Sequence, residues 1–310
     1  MTQVKSFFKE QKSLGVLIVI IVVMSIASPF FLSGANLLNV LNQATIYGIM
    51  ACGMTFAIIN GEFDLSVGSI LAFSGLVAVI LEPMVGQVGS ILLALASGMA
   101  FGLLNGFLIA KVKISSFIVT IGTMGIIKGL ALKISGGNPI SSSNPWYSEI
   151  GNGTLGGLPY SVIIFIILVA ISWYVLSATR FGRNVYIIGG NAEVAHNSGI
   201  NVLFHKTMVF VISGLCAAIA GIVLSSRLNT ASAIQGDAAS LAVISSVVIG
   251  GTSLVGGVGS IFKSIVGIFI FTIITNALDI LGVFSYYQLM IRGILLVVII
   301  GIDAYANTRK

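Results

Sequence analysis

The sequence predicts an all-α, polytopic membrane protein with about ten transmembrane helices and both termini in the cytoplasm. Of its 310 residues, 57% are hydrophobic and only 8% are charged, whereas soluble proteins carry about 25% charged residues. So few charges do not supply the polar surface of a soluble fold. The apolar residues instead fall in runs close to the roughly 17 to 25 residues that a helix needs to cross a bilayer.

Ten apolar runs are predicted as helices. The first follows three lysines, and its length favours an uncleaved spanning helix over a signal peptide. The segments that join the runs are mostly short, so 1–310 is predicted to be a single transmembrane domain. The predicted helices are 14–32, 44–60, 66–82, 88–110, 115–134, 160–178, 207–227, 238–252, 259–279 and 284–303.

The positions of lysine and arginine predict the orientation, because cytoplasmic loops are enriched in both. With the N-terminus in the cytoplasm, eleven of the fifteen basic residues lie in inner loops. The longest inner loop is then 179–206, and the long polar loop 135–158 lies outside. The eleven are Lys5, Lys9, Lys12, Lys111, Lys113, Arg180, Arg183, Lys206, Lys263, Arg309 and Lys310.

The stretch NGEFDLSVGS, which begins at Asn60, places two carboxylates between apolar runs. An ionised carboxylate at the bilayer centre costs about 2.5–3.5 kcal/mol. Glu62 and Asp64 are therefore expected beside a water-filled path, at the interface or at a break in a helix. Asn60-Gly61 breaks the chain, and Asp64 and Ser66 are residue types that cap helix N-termini. We predict that Asp64 caps the third helix, acts in a gate, or does both.

Two further patterns concern packing. Residues 58–70 weakly resemble residues 249–261, which indicates either a parallel internal repeat or chance similarity. Small residues also recur every four positions in two runs, so each set shares a helix face and predicts close helix packing. The two sets are Gly98, Gly102 and Gly106, and Ser213, Ala217 and Gly221.

Nucleotide, metal, catalytic and nucleic-acid sites are not predicted. GGVGSIFKS ends in a Lys-Ser pair, but Phe262 stands where a phosphate-binding loop requires glycine. The two cysteines lie apart in apolar runs and are expected to be buried. His196 and His205 are expected to be solvated loop residues. Basic residues do not alternate with aromatic ones in a stripe that would suit nucleic acid.

The stretch NGEFDLSVGSILAFSG resembles the GGIDLSVGS segment of the permease subunits of monosaccharide ABC importers of the ribose type. Glu62 and Phe63 stand where that family usually has Gly and Ile, and Val194 and His196 lie in a segment usually closer to NPEAARLSGI. Further segments resemble the family in the same order, namely FIVTIGTMGIIKGLALKISGGNPI, TRFGRNVYIIGGNAEVAHNSGINV, VVIGGTSLVGGVGS and SYYQLMIRGILLVVII.

The resemblance implies a permease subunit in the bacterial inner membrane that works as a dimer, with itself or with a homologue. It would pass ribose or a similar monosaccharide from an external sugar-binding protein to the cytoplasm. ATP and Mg²⁺ would belong to a separate cytoplasmic ATPase subunit, so this chain is expected to be neither an enzyme nor a cofactor carrier. The sequence does not name the sugar.

Two alternatives follow from the residues themselves. An ion-coupled secondary sugar transporter would need carboxylates within the membrane, and Glu62, Asp64 and Asp279 are the candidates. A membrane anchor without transport is disfavoured, because the helices are interrupted by polar, glycine-rich turns.

The resemblance also identifies site residues. Loop 179–206 matches the segment that meets the ATPase, and its charges and glycine turns suit that role. The outer loop is expected to help dock the sugar-binding protein. Lys128 and Arg292 match basic positions of the family, and Arg292 is expected to pair with Asp279 or Tyr287. The predicted ATPase-coupling residues are Arg180, Gly182, Arg183, Gly190, Asn191, Glu193 and Gly199. The predicted pathway or gate residues are Asn60, Glu62, Asp64, Ser66, Tyr287, Gln288 and Arg292.

Overall fold

A computed structural model describes residues 12–307, which form thirteen helices and four two-residue strands. The helices are α1 Lys12–Ala27, α2 Gly34–Ile59, α3 Val67–Ile80, α4 Glu82–Ala110, α5 Ser116–Ser135, α6 Pro145–Asn152, α7 Tyr160–Ala178, α8 Arg180–Gly190, α9 Ala192–Asn197, α10 Val202–Leu228, α11 Ala239–Ile249, α12 Ile261–Ile280 and α13 Ser285–Asn307. The strands are β1 Ile140–Ser141, β2 Thr154–Leu155, β3 Leu158–Pro159 and β4 Thr230–Ala231, with β1 antiparallel to β4 and β2 antiparallel to β3.

The all-α prediction is confirmed, and each of the ten predicted helices corresponds to a helix in the structure. Six of these, α2, α4, α5, α7, α10 and α12, are long and apolar enough to cross a membrane. At about 1.5 Å per residue, α3 and α11 reach only roughly 21 and 17 Å, less than the bilayer core of about 30 Å. The number of crossings and the position of the termini stay predictions. Lys5, Lys9, Arg309 and Lys310 lie outside the described residues.

Helix α10 packs tightly against α2, α3 and α4 because small residues line its contacts. A Cβ atom at Gly102 of α4 would lie 2.3 Å from a carbonyl oxygen of α10, and one at Gly53 of α2 would lie 2.7 Å from Ser213 Cα. A Cβ atom at Gly221 of α10 would lie 2.1 Å from the Leu71 carbonyl oxygen of α3. Such close approach increases dispersion contacts between helices in lipid. The packing role predicted for both small-residue faces is confirmed.

Burial distinguishes a central helix of the bundle from peripheral ones. In the most apolar stretch of α2, 83% of the residues are buried within the protein, whereas in the corresponding stretches of α4, α5 and α7 the buried share is 28% each. These three peripheral helices therefore present most of their apolar surface away from the protein. A hydrocarbon environment suits that surface, and water does not.

The predicted outer loop 135–158 is an ordered cover on the end of α10. Tyr147 of α6 is fully buried, and its hydroxyl is 2.6 Å from the Ser225 Oγ of α10. Burial raises the pKa of Tyr147 to about 12. The Ser226 Oγ accepts from the Gly151 N–H at 2.8 Å and donates to the Tyr147 carbonyl. Together with the pairing of β1 and β4, these bonds fix the cover to α10.

His205 contradicts the expectation of a solvated loop residue. Helix α10 begins at Val202, earlier than predicted, and places His205 in its first turn beneath α8. Its ring stacks on Phe181 with centroids 5.3 Å apart, and its Nε2 lies 3.0 Å from the Asn184 Nδ2. His196, in contrast, is exposed as expected.

Candidate functional site

The end of helix α8 and two glycine-containing helix breaks meet at one end of the bundle. We call Gly61, Gly189, Gly256 and Gly257 the glycine junction. The Gly257 N–H donates to the Ile59 carbonyl oxygen at the end of α2, at 2.8 Å. A Cβ atom at Gly189 would lie 1.8 Å from that same oxygen. Gly256 has a φ of +92°, and a Cβ atom there would lie 2.6 Å from the Gly189 carbonyl oxygen. The end of α8 thus contacts both the end of α2 and the Gly256-Gly257 turn through backbone atoms alone.

The glycine junction explains the weak internal similarity of the sequence. Residues 58–70 end α2, pass through a break and start α3, while residues 249–261 end α11, pass through a break and start α12. The shared letters VGSI begin α3 in the first segment, whereas in the second only their final Ile belongs to α12. Positive φ angles at Gly256 and Gly257 lengthen the second break. The two similar segments are therefore two helix breaks in mutual contact.

Asp64 is the centre of a buried polar network at the first break. Its side chain is fully buried, and Oδ1 accepts from the Ser66 N–H at 3.1 Å and the Ser66 hydroxyl at 2.6 Å. Oδ2 accepts from the Ser213 hydroxyl of α10 at 2.7 Å. The Asn105 amide of α4 donates to Ser66 Oγ at 2.9 Å. Within residues 12–307, neither ion pair involves Asp64, so hydroxyl and N–H donors stabilise it.

The predicted cap of the third helix differs from the observed one. Ser66 is the N-cap residue of α3, but its side chain makes no capping bond. Ser240 of α11 caps the helix instead, because its Oγ accepts from the Gly68 N–H at 3.0 Å and donates to the Leu65 carbonyl at 2.7 Å. Asp64 orders the turn just before the helix. Side chains distant in sequence thus replace the local cap that the residue types predict.

Glu62 borders an open cavity although it is only 9% exposed, whereas Asn60, Asp64 and Ser66 are buried more deeply. It lines a cavity of about 620 Å³ together with Lys113 before α5, Glu193 and His196 of α9, and Lys206 of α10. Glu62 and Lys206 form an ion pair, with 11% and 20% of their side chains exposed. The pair ties the first break to the start of α10, next to α9.

Removing one partner of this ion pair is expected to destabilise the protein more than removing both. Lys206→Met leaves Glu62 as a largely buried, unpaired carboxylate and should cost about 2–3 kcal/mol of unfolding free energy, between the surface and fully buried limits. Glu62→Gly with Lys206→Met removes both charges and should recover most of that loss. Chemical unfolding of the purified variants measures it. A double variant less stable than Lys206→Met would contradict the pairing.

The predicted coupling loop 179–206 contains two helices and the start of α10, where one short helical patch was expected. Arg180 and Arg183 lie exposed on α8, and Glu193 lies exposed on α9. Exposed Ile187 and Val194, at 45% and 55%, stand between these charges. An exposed surface of mixed apolar and charged residues suits a protein partner.

The other predicted coupling residues shape the backbone of this segment. A Cβ atom at Gly182 would lie 2.1 Å from the Leu176 carbonyl oxygen, so glycine allows the tight turn from α7 into α8. The Asn191 Oδ1 caps α9 by accepting from the N–H groups of Glu193 and Val194, at 2.9 and 3.0 Å. Gly199 has φ of +80°, and Gly190 has open space around it. These residues shape the segment that carries the exposed charges, and their role in coupling stays a prediction.

The pathway residues predicted on α13 lie apart from the first break. Gln288 donates to the Asp279 carboxylate at 2.8 Å and to the Val283 carbonyl at 2.9 Å, which fixes the turn between α12 and α13. Tyr287 is half exposed. Arg292 lies over the Phe271 ring at 5.9 Å. The expected pairing of Arg292 with Asp279 or Tyr287 is wrong, because the glutamine occupies the carboxylate.

Arg292 borders a second cavity, of about 400 Å³, between α11, α12 and α13. Its Nε is buried and has no hydrogen-bond partner among the described residues. Asp237 lies at the rim and forms an ion pair with Lys128 of α5, at 2.7 and 2.8 Å. Sequence reasoning missed this pair because its members are 109 residues apart. Across residues 12–307, no group of three or more His, Cys, Asp or Glu side chains is arranged to hold a metal ion.

Comparison with known proteins gives matches over nearly the whole chain. Residues 36–300 match a family described as "Branched-chain amino acid transport system / permease component". The chain is 36% identical to the ribose import permease protein RbsC of Haemophilus influenzae over 313 residues, which cover 99% of this chain and 97% of the relative. It is 41% identical to RbsC of Bacillus subtilis over 290 residues, covering 93% and 90%. It is 36% identical to the D-allose transport system permease protein AlsC of Escherichia coli strain K12, covering 96% and 92%. No solved structure matches the chain significantly.

Proposed function

Because the chain belongs to the family of permease components of branched-chain amino acid transport systems, we propose that it carries a ribose-like sugar across the membrane and couples to an ATPase through α8 and α9. It is a multi-pass permease of the bacterial ABC monosaccharide importer class and a non-catalytic subunit of that transporter. Membership of this class implies an ATPase and a sugar-binding protein as partners.

The observation that carries the coupling proposal is the glycine junction. The Gly257 N–H to Ile59 carbonyl bond and the close approach of Gly189 join the end of α8 to both helix breaks. A displacement of α8 by a bound partner would therefore act directly on the end of α2 and on the break between α11 and α12. Packed backbone without intervening side chains transmits such a displacement with little slack.

The ion-coupled alternative finds less support. An ion site requires a carboxylate free to bind the ion, yet each of the three candidates already has a partner in the protein. Glu62 pairs with Lys206, Asp64 accepts from two serines, and Asp279 accepts from Gln288. A cytoplasmic position of α8 and α9 agrees with the positive-inside distribution of lysine and arginine.

Uptake by proteoliposomes tests the proposed function. The permease is reconstituted with its ATPase and sugar-binding protein, and entry of labelled D-ribose, D-allose and L-arabinose is measured. We expect uptake of at least one of them that requires ATP and persists after ionophores collapse the ion gradients. Uptake that stops with the ionophores and continues without ATP would establish the ion-coupled alternative.

Charge reversal on the exposed face of α8 and α9 should weaken coupling. Arg183→Glu together with Glu193→Lys places the wrong charges against the ATPase, so we expect association and ATP-driven uptake to fall about tenfold, as for like charges at an interface. Binding of the sugar-binding protein should be unchanged. Glu149→Lys, on the exposed face of α6 in the outer cover, is the matched control for ATPase association, which it should leave unchanged. Normal coupling in the double variant would overturn the role of α8 and α9.

A further inference from the structure

A small cavity of about 90 Å³ lies between α2, α3, α10 and the segment that leads into α11. Gln43 and Tyr47 of α2, Arg227 of α10 and Gln235 supply its polar lining, and aliphatic side chains supply the rest. The cavity is several times larger than the roughly 30 Å³ that one water molecule takes in the liquid. It therefore suits a small polar ligand or part of one.

One polar group at this cavity is buried without a protein partner. The Arg227 Nη1 has no hydrogen-bond partner in the part of the chain that the structure describes. Gln43 and Tyr47 line the same cavity and are partly buried. Gln235 differs from Arg227, because its amide donates to the Thr230 carbonyl at 2.9 Å and accepts from a backbone N–H at 3.1 Å. A buried donor without a partner is costly, so the Arg227 guanidinium calls for a ligand oxygen. The Gln43 amide and the Tyr47 hydroxyl stand at the same cavity and can contact further oxygens of that ligand.

The backbone of Arg227 is held from the other side by the outer cover. The Asn152 amide donates to the Arg227 carbonyl at 3.0 Å, and a Cβ atom at Gly151 would lie 2.5 Å from the Arg227 nitrogen. Neither of the two ion pairs in residues 12–307 includes Arg227. The guanidinium is thus positioned, yet no carboxylate in the described chain uses its donors.

The position of the cavity along α2 places it far from the glycine junction. Gln43 precedes Ile59 by sixteen residues of continuous helix, which corresponds to about 24 Å at 1.5 Å per residue. The Tyr47 ring also meets the Phe271 ring edge to face at 6.3 Å, and Arg292 lies over that same ring. The small cavity is therefore linked to the 400 Å³ cavity by two aromatic rings in contact, Tyr47 and Phe271.

We propose that Arg227, Tyr47 and Gln43 form a site within the permease that binds the hydroxyl groups of the transported sugar. This proposal rests on the proposed function. A neutral monosaccharide offers several oxygens to the guanidinium fork, the phenol and the amide, and its apolar ring face suits the Tyr47 ring and the aliphatic lining. The site lies at the end of the bundle opposite α8 and α9, where sugar from the outer binding protein would enter.

Substitutions that remove one polar group each test the site in the reconstituted transporter with D-ribose. Tyr47→Phe removes only the hydroxyl and keeps the ring contact with Phe271, and Gln43→Leu removes only the amide. Each should lower uptake per folded permease about threefold to tenfold, the loss of one hydrogen bond. Arg227→Gln should lower it further, and Arg227→Lys should restore only part. ATPase activity stimulated by the loaded binding protein should stay within about twofold, so fewer sugars enter per ATP. Tyr160→Phe, in a partly exposed tyrosine at the start of α7, is the control.

The outcomes separate this proposal from the proposed function. Absence of uptake of every sugar tested by the unaltered protein would refute the proposed function itself. Normal sugar uptake by Tyr47→Phe, Gln43→Leu and Arg227→Gln would overturn the site alone. A parallel fall of uptake and ATPase activity would show that the residues only support the fold, and would also overturn it. Inhibition of the unaltered protein by inorganic phosphate, relieved in Arg227→Gln, would assign the cavity to an anion instead.

Discussion

Gly189→Val is expected to abolish ATP-driven sugar uptake. A Cβ atom at Gly189 would lie 1.8 Å from the Ile59 carbonyl oxygen and 2.8 Å from the Gly257 nitrogen. Both are backbone atoms, so no side chain can turn aside to make room. The end of α8 must move away from α2, and the Gly257 N–H to Ile59 carbonyl bond is strained or lost. Overpacking of this kind costs about 1–3 kcal/mol or more.

Uptake per folded permease in proteoliposomes measures the result, and gel filtration in detergent measures the amount of folded protein. Gly189→Ala carries the same clash with a smaller side chain and should lose most of the uptake. Gly125→Val is the matched control, because a Cβ atom at that helical glycine of α5 meets nothing within 4 Å. Co-purification shows whether the ATPase still binds. Uptake by Gly189→Val at the level of Gly125→Val would contradict transmission through the glycine junction.

The helices could be predicted because membrane spans are local features of composition. An apolar run of sufficient length identifies a span wherever its neighbours lie, and the small-residue faces of α4 and α10 follow from helical periodicity alone. Helix α8 was missed because Gly182, Gly189 and Gly190 resemble turn residues in the sequence. In the structure, the first two of these glycines are needed for close packing against backbone.

The polar contacts of the site could not be predicted, since they join residues far apart in sequence. Glu62 and Lys206 are 144 residues apart, and Ser240 caps a helix that begins 173 residues earlier at Val67. Nothing in the sequence near either partner indicates the other. Arg227 did leave one indication, because a basic residue at a helix end that is predicted to be outside departs from the positive-inside pattern.

Asp64→Ala is expected to destabilise the protein by about 3 kcal/mol, because hydrogen bonds to a charged group contribute about 1.5–3 kcal/mol each and orphaned buried donors add to the loss. The substitution leaves the hydroxyls of Ser66 and Ser213 without their acceptor inside a fully buried site. Chemical unfolding in detergent measures this loss. Asp237→Asn, in a half-exposed ion pair, is the control and should cost less than about 1 kcal/mol.

Asp64→Asn separates structure from charge. The asparagine Oδ1 can still accept from the Ser66 N–H and hydroxyl, and its amide can donate to Ser213 Oγ, which accepts as well as donates. We therefore expect near-normal folding and at least half of the uptake per folded molecule. Ser213→Ala, which removes one donor, should fall between Asn and Ala in stability. Normal abundance of Asp64→Asn with lost uptake would instead show that the charge itself acts in the gate.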